Sequence, residues 1–220
     1  MVLKQKIARF LRPHGRAAFL ATLGAEPRIL DVGCGNNSPT KIRQTVPKCK
    51  YTGIDVGYYN LSELDPDGAY IITSAKDFAS EIGKFENEFD AVISAHNLEH
   101  CDDRDSTLRA MLDAIKMGGA IYLAFPSEKS VSFPKRQIGT LNYFDDSTHK
   151  DVPPEFNKLI DELNFSGFEI IFSAPNYRPF LLRYVGMLLE PIAFLRGAVL
   201  MGTWEFYGFE SIIWARKTGC

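Results

Sequence analysis

The 220-residue sequence has few cysteines, and none of them follows a spacing that binds a metal or builds a disulfide framework. Cys34, Cys49, Cys101 and Cys220 form no CxxC pair and no His–Cys cluster. We therefore expect no metal site and no structural disulfides. A reducing cytoplasm is the expected location, because disulfides are rare there.

The chain also lacks a long apolar run and an excess of positive charge. No segment offers about 20 consecutive apolar residues, the length that a spanning helix needs. Residues 1–10 interleave apolar and basic side chains, which is not the pattern of a signal peptide. The formal net charge of −2 gives no overall basic field, so we expect no nucleic-acid partner.

Strand-like and helix-like runs alternate over the first half of the chain. One or two amphipathic helices at 3–23, broken near Pro13, precede them. This alternation predicts βαβ units and a doubly wound, mostly parallel sheet. Gly118 and Gly119 are expected to end the helix before the fifth strand. The strand-like runs are 28–32, 51–56, 69–73, 89–94 and 120–125, and the helix-like runs are 39–46, 75–82 and 105–117.

The second half of the chain does not continue this alternation. Residues 126–151 are polar and irregular, 153–163 predict a helix, and 167–172 and 209–215 predict strands. The sequence shows no internal repeat and no low-complexity linker. We therefore expect a single domain over 1–220, with N-terminal helices within 1–25 and an apolar helical insertion at about 175–207.

A glycine turn at the end of the first predicted strand is the most informative motif. Residues 29–36 read ILDVGCGN, in which Asp31 lies in the apolar run and Gly33 and Gly35 flank Cys34. Because glycine has no Cβ, the backbone there can adopt unusual dihedral angles and let a ligand approach closely. A small Cys34 side chain fits such a turn, and we interpret it as structural rather than nucleophilic.

Two further positions narrow the choice of ligand. A dinucleotide fingerprint has a third glycine where Ser38 stands, so the motif favours a ligand without a pyrophosphate. Asp55 ends the second predicted strand, and an acid there typically accepts hydrogen bonds from ribose hydroxyls. The motif therefore predicts a nucleoside ligand.

From residue 28 to about residue 125, the chain resembles a class I S-adenosylmethionine-dependent methyltransferase. The resemblance implies an α/β fold with a doubly wound seven-stranded sheet, mostly parallel with the last strand antiparallel, and helices on both faces. It also implies S-adenosyl-L-methionine as the cofactor and methyl transfer to a small molecule, which we expect to be O-methylation. The matching segments are ILDVGCG at 29–35, GID at 53–55, EFDAVIS at 88–94, NLEH at 97–100, MGGAIYLA at 117–124 and FSGFEI at 165–170.

The resemblance also implies which residues contact the cofactor. Many relatives have an Asp after the third strand, near the adenine, where this sequence has Ser74. Ser74, Ala75 or Asp77 is therefore expected near the adenine, and Ala95 and His96 near the methionine. The residues expected around the rest of the cofactor are Asp31, Gly33, Cys34, Gly35 and Asp55.

Three histidines are candidates for the base that removes a proton from a hydroxyl acceptor, since histidine titrates near neutral pH. His96 and His100 flank the loop after the fourth strand, and His96 is also expected to contact the methionine half of the cofactor or the acceptor. His149 lies in a polar loop before a helix. A structural role remains an alternative for His100, and a solvated turn for His149.

The apolar segment 178–204 carries few charges, and its three arginines outnumber Glu190. It predicts a lid, a homodimer surface or a peripheral membrane contact, although many of its leucines are expected to pack on the sheet or the N-terminal helices. An apolar segment here also suggests an acceptor that is partly apolar or linked to a membrane. We expect this acceptor to be a small molecule or an envelope glycan. Two other functions remain open: an S-adenosylmethionine-binding regulator without turnover, and a nicotinamide-dependent oxidoreductase on a similar fold.

Overall fold

The computed structural model describes residues 2–35, 38–57 and 67–219, so the predictions that concern Asn36 and Cys220 lie outside the described residues. The described strands are β1 (Arg28–Val32), β2 (Lys50–Asp55), β3 (Ala69–Ile72), β4 (Phe89–Ala95), β5 (Ile115–Pro126), β6 (Phe168–Ala174) and β7 (Glu210–Lys217). The described helices are α1 (Val2–Leu11), α2 (Arg16–Leu20), α3 (Ser38–Thr45), α4 (Phe78–Ile82), α5 (Arg104–Asp113), α6 (Phe156–Phe165), α7 (Phe180–Leu195) and α8 (Thr203–Tyr207).

The seven strands form one sheet in the order β3-β2-β1-β4-β5-β7-β6. Neighbouring strands from β3 to β5 pair in parallel. The last strand, β7, lies between β5 and β6 and runs antiparallel to both. This arrangement confirms the predicted fold class.

Helices cover both faces of the sheet because its central strands are apolar on both sides. Leu30 and Val32 of β1 face a core that also contains apolar side chains of α4, α5 and α6. Ile29, the second residue of the same strand, points to the other face of the sheet. There it lies in a second core that contains side chains of α2 and α3. Burial on both faces explains why the last four residues of β1 are all buried, rather than every second one.

The prediction of a helix at 105–117 is wrong at the C-terminal end of the helix. Gly118 and Gly119 also have a role other than the predicted one. The helix α5 ends at Asp113, and β5 begins at Ile115, so Gly118 and Gly119 lie inside a strand. Gly118 has a φ of +78°, and a Cβ on Gly119 would lie 2.8 Å from the Ile115 side chain. The glycine pair therefore lies where the β4–β5 register shifts, and it permits the irregular backbone there.

The segment between β6 and β7 contains the two helices α7 and α8. A Cβ on Gly186 of α7 would lie 1.9 Å from the carbonyl oxygen of Gly202, at the start of α8. The two helices therefore meet backbone to backbone, which only glycine permits. Among the described helices, none combines the length and the apolar character needed to cross a membrane.

Candidate active site

A cavity of about 610 Å³ opens where β1, β2 and β4 reach their carboxyl ends. This edge is where open α/β sheets bind ligands, at the point where the strand order reverses on either side of β1. The volume is within the usual range for a small-molecule site. The residues that line the cavity are Gly33, Gly35, Asp55, Val56, Ala75, Phe78, His96, Asn97, His100, Cys101, Ser147, Thr148, His149 and Lys150.

The glycine turn after β1 forms one wall of this cavity. Gly33 and Gly35 have φ values of +75° and +55°. The amide of Gly33 donates to the carbonyl oxygen of Ile54 at 2.8 Å, which holds the turn beside β2. A Cβ on Gly33 would lie 2.5 Å from the Asn97 side chain, whereas a Cβ on Gly35 would have no neighbour within 4 Å. Gly33 therefore packs against protein, and Gly35 borders open space.

This difference predicts that alanine destabilises the protein more at Gly33 than at Gly35. Gly33→Ala should lower the free energy of unfolding by about 2–5 kcal/mol, because it adds left-handed backbone strain to a steric clash. Gly35→Ala adds only the strain and should cost about 1–2 kcal/mol. Urea denaturation of both variants checks this, and an equal loss of stability would contradict the proposed packing of Asn97 against Gly33.

Asp55 presents its carboxylate to the cavity from the end of β2. Its Oδ2 accepts a hydrogen bond from the amide of Gly35 at 2.7 Å, and its Oδ1 accepts from the amides of Val56 and Gly57. These three donors fix the orientation of the carboxylate without a side-chain cation. The second acid, Asp31, lies under the turn instead, where it is 1% exposed and accepts from the Tyr51 hydroxyl.

The structure brings some of the other predicted cofactor contacts to the cavity and leaves others outside its lining. Ala75 lines the cavity. Ser74 donates to the carboxylate of Asp77 at 2.6 Å, and both are exposed. Ala95 ends β4 directly before the cavity wall. Cys34 packs under the turn, and burial raises the pKa of its thiol to about 12, which matches its interpretation as structural.

His96 lies between two carboxylates. Its Nδ1 is 3.1 Å from Glu99 Oε1, and its Nε2 is 3.0 Å from Glu210 Oε1. Burial alone would lower the pKa of His96, but the hydrogen bonds to Glu210 and Glu99 outweigh it and raise the pKa to about 10. His96 is therefore an imidazolium near neutral pH, and neither ring nitrogen has a lone pair with which to accept a proton.

The charged cluster extends from His96 to the N-terminal helices. Glu210, the first residue of β7, also pairs with Arg12, and Arg12 Nε lies 3.6 Å from Glu205 Oε1. Positive and negative groups alternate along this row, which compensates their burial. The cluster joins α1, α8 and β7 to the loop after β4.

His100 and His149 lie side by side on the cavity wall, with ring centroids 4.8 Å apart. His149 Nδ1 is 2.6 Å from the carbonyl oxygen of Tyr143. Since a carbonyl only accepts, Nδ1 carries the proton and Nε2 keeps a free lone pair. Burial lowers the pKa of His149, so its imidazole is neutral near pH 7.

The same wall is the place among the described residues where a metal ion could bind. Glu99, His100 and His149 each offer one ligand atom, and these atoms lie within 4.8 Å of one another. Glu99 Oε2 is buried and has no hydrogen-bond partner among the described side chains and backbone. The sequence predicts no metal, and this remains a prediction.

Sequence reasoning did not find Arg12, Glu210, Asn97 or the residues around His149 that complete the site. Arg12 and Glu210 are 198 residues apart, so no local pattern connects them. A β5–β6 loop residue, Lys150, donates its amide to the carbonyl oxygen of Glu99 at 2.9 Å and thereby holds the loop of His149 over the cavity. For Asn97, the signal in the sequence was Gly33, because a residue without a Cβ lets another side chain pack directly against the backbone.

Comparison with known proteins agrees with this geometry. Residues 30–123, from β1 to β5, match the family described as a methyltransferase domain. A solved S-adenosylmethionine-dependent methyltransferase from Mesorhizobium loti superposes with a TM-score of 0.63 at 15% identity, over 90% of this chain and 95% of that one. The two proteins share the fold of this sheet, which the sequence predicted.

Curated relatives match part of this chain at low identity. The ubiquinone biosynthesis O-methyltransferase of Marinobacter nauticus is 28% identical over 66% of this chain and 65% of its own length. The 27-O-demethylrifamycin SV methyltransferase of Amycolatopsis mediterranei is 29% identical over 49% of this chain and 42% of its own length. The chain thus spans less than two thirds of the relatives that it matches.

Proposed function

We propose that this protein transfers the methyl group of S-adenosylmethionine to an oxygen atom of a small-molecule acceptor. The observation that carries the proposal is that the glycine turn, Asp55 and the neutral imidazole of His149 line one cavity. The names of two curated relatives support the same reaction class. One is an O-methyltransferase, and the other is a methyltransferase named for an O-demethylated compound.

The residues of the first wall fit the cofactor. Open space beside Gly35 leaves room for a ligand against the backbone, and Asp55 offers a fixed carboxylate for ribose hydroxyls. Ala75 and Phe78 supply an apolar surface for a base such as adenine. When bound, S-adenosylmethionine supplies a methyl group that is already activated on a sulfonium.

The residues of the opposite wall fit the acceptor. Methyl transfer to a hydroxyl releases a proton, and His149 Nε2 is positioned to take it. The carboxylate of Asp146, 3.9 Å from Nε2, stabilises the imidazolium that forms. Holding acceptor and methyl donor in line is the other contribution of the protein, and such alignment can supply about 7–11 kcal/mol.

Asp55→Ala should weaken binding of S-adenosylmethionine about 10- to 150-fold, because it removes charge-assisted hydrogen bonds worth about 1.5–3 kcal/mol. Isothermal titration calorimetry measures the affinity. Asp161→Ala is the matched control, since it removes an exposed acid of α6 that does not line the cavity. Equal affinities of wild type and Asp55→Ala would contradict the ribose contact.

The same titration separates this proposal from its alternatives. Heat with S-adenosylmethionine and its demethylated product, and none with NAD, is the expected result; heat with NAD alone would favour an oxidoreductase. Mass spectrometry of an acceptor library with S-adenosylmethionine then tests turnover. Binding without a methylated product from any hydroxyl acceptor would favour a regulator without turnover.

A further inference from the structure

Helix α7 exposes apolar side chains along its whole length. Phe180, Leu188 and Leu195 are 72%, 73% and 85% exposed. Exposed apolar patches of this extent in a folded protein mark contact with a partner or a membrane. We call this the α7 surface, and its members are Phe180, Leu181, Tyr184, Met187, Leu188, Pro191, Ile192, Phe194, Leu195 and Met201.

The α7 surface occupies one side of a helix whose other side packs on the protein. Phe180, Tyr184 and Leu188 follow one another at intervals of four residues, which places them on the same side. Leu182 and Gly186 are buried on the side that faces the protein. The helix is therefore anchored through one side and leaves the other uncovered by the described residues.

The exposed charges of the segment that carries the α7 surface have one sign. Within residues 178–201 the exposed charged side chains are Arg178, Arg183 and Arg196. The one acid in this segment, Glu190, is partly buried and pairs with Arg136 and the Tyr207 hydroxyl. A local excess of arginine on a chain of net charge −2 selects a negatively charged partner.

We propose that the α7 surface binds the surface of an anionic phospholipid bilayer. A helix of 16 residues is about 24 Å long and can lie flat in the interface, with apolar side chains in the acyl region and arginines at lipid phosphates. Aromatic residues such as Tyr184 suit this boundary. The proposal does not depend on methyl transfer.

The structure argues against two other occupants. In a twofold dimer the same surface meets itself, and the α7 surface offers no exposed acid to pair with the arginines of a second copy. As a lid, α7 would line the cavity, but the described lining contains no residue of α7.

Flotation of the full chain with lipid vesicles tests the proposal. Wild type should float with vesicles of phosphatidylglycerol and phosphatidylcholine and bind vesicles of phosphatidylcholine alone at least about tenfold less. Leu188→Glu with Leu195→Glu should lower binding to the anionic vesicles more than about tenfold. Phe165→Glu is the control, because Phe165 is equally exposed, at 88%, but lies on α6.

A second pair of variants keeps the test independent of folding. Arg183→Gln with Arg196→Gln should lower binding to anionic vesicles about tenfold or more, with Lys48→Gln as control. Circular dichroism confirms the fold of each variant. The proposal would be overturned if wild type did not float with anionic vesicles. It would also be overturned if Phe165→Glu lowered vesicle binding as much as Leu188→Glu with Leu195→Glu does. A wild-type dimer in sedimentation velocity that Leu188→Glu with Leu195→Glu converts to a monomer would overturn it as well.

Discussion

His149→Gln is expected to lower kcat about 100- to 10,000-fold, the usual contribution of a positioned base. The substitution removes the lone pair on Nε2, while the fold should persist because the ring makes one hydrogen bond to the protein, at Nδ1. KM for S-adenosylmethionine should change little, since the cofactor wall is untouched. Steady-state kinetics with the acceptor found in the screen measures both constants.

Two controls separate a base from the other roles available at this wall. His100→Gln removes the neighbouring imidazole, whose Nδ1 is bonded to Thr148, and should have the smaller effect on kcat. Turnover of wild type should survive EDTA. If His149→Gln keeps the wild-type rate, His149 is not the base. If chelation abolishes the rate of wild type, His149 is not the base either, and His100 and His149 are metal ligands instead.

The pH dependence of the rate gives an independent signature of His149. Burial lowers its pKa below the ordinary value of about 6.5, so the base stays unprotonated down to mildly acidic pH. The midpoint of the fall in rate with decreasing pH should therefore lie below pH 6.5. A midpoint above pH 6.5 would contradict a base whose pKa is lowered by burial.

His96→Ala should lower the free energy of unfolding by roughly 2–4 kcal/mol at pH 7, the second large effect. Without the imidazolium, Glu99 and Glu210 lose the cation that they share, and removing one member of a buried ion pair leaves an uncompensated charge. Chemical denaturation measures the loss. His100→Ala is the matched control, since it removes an imidazole of the same loop that lies outside the cluster.

The contribution of His96 should also depend on pH in a defined direction. Its folded pKa is raised from about 6.5 to about 10, so its stabilisation is fully present below pH 6.5 and is lost as the pH rises through 10. Comparison of wild type and His96→Ala from pH 6 to 10 follows this loss. A difference between them that grows with pH would show that His96 is not held as a cation.

The sequence predicts the fold better than it predicts the contacts within the candidate site. Local patterns are sufficient for β1, since an apolar run and a glycine turn lie within a few residues. They are not sufficient for His96, whose protonation depends on Glu210 in the last strand. They also mislead at Gly118, where a glycine pair typical of a helix end lies inside a strand.

The backbone contact between Gly186 and Gly202 connects the α7 surface to the charged cluster in two steps. The α7 surface lies on the helix that contains Gly186. Gly202 directly precedes α8, which contains Trp204, and the ring of Trp204 lies 5.1 Å from the ring of His96. A larger residue at Gly186 or Gly202 would therefore displace α8 and change the surroundings of His96.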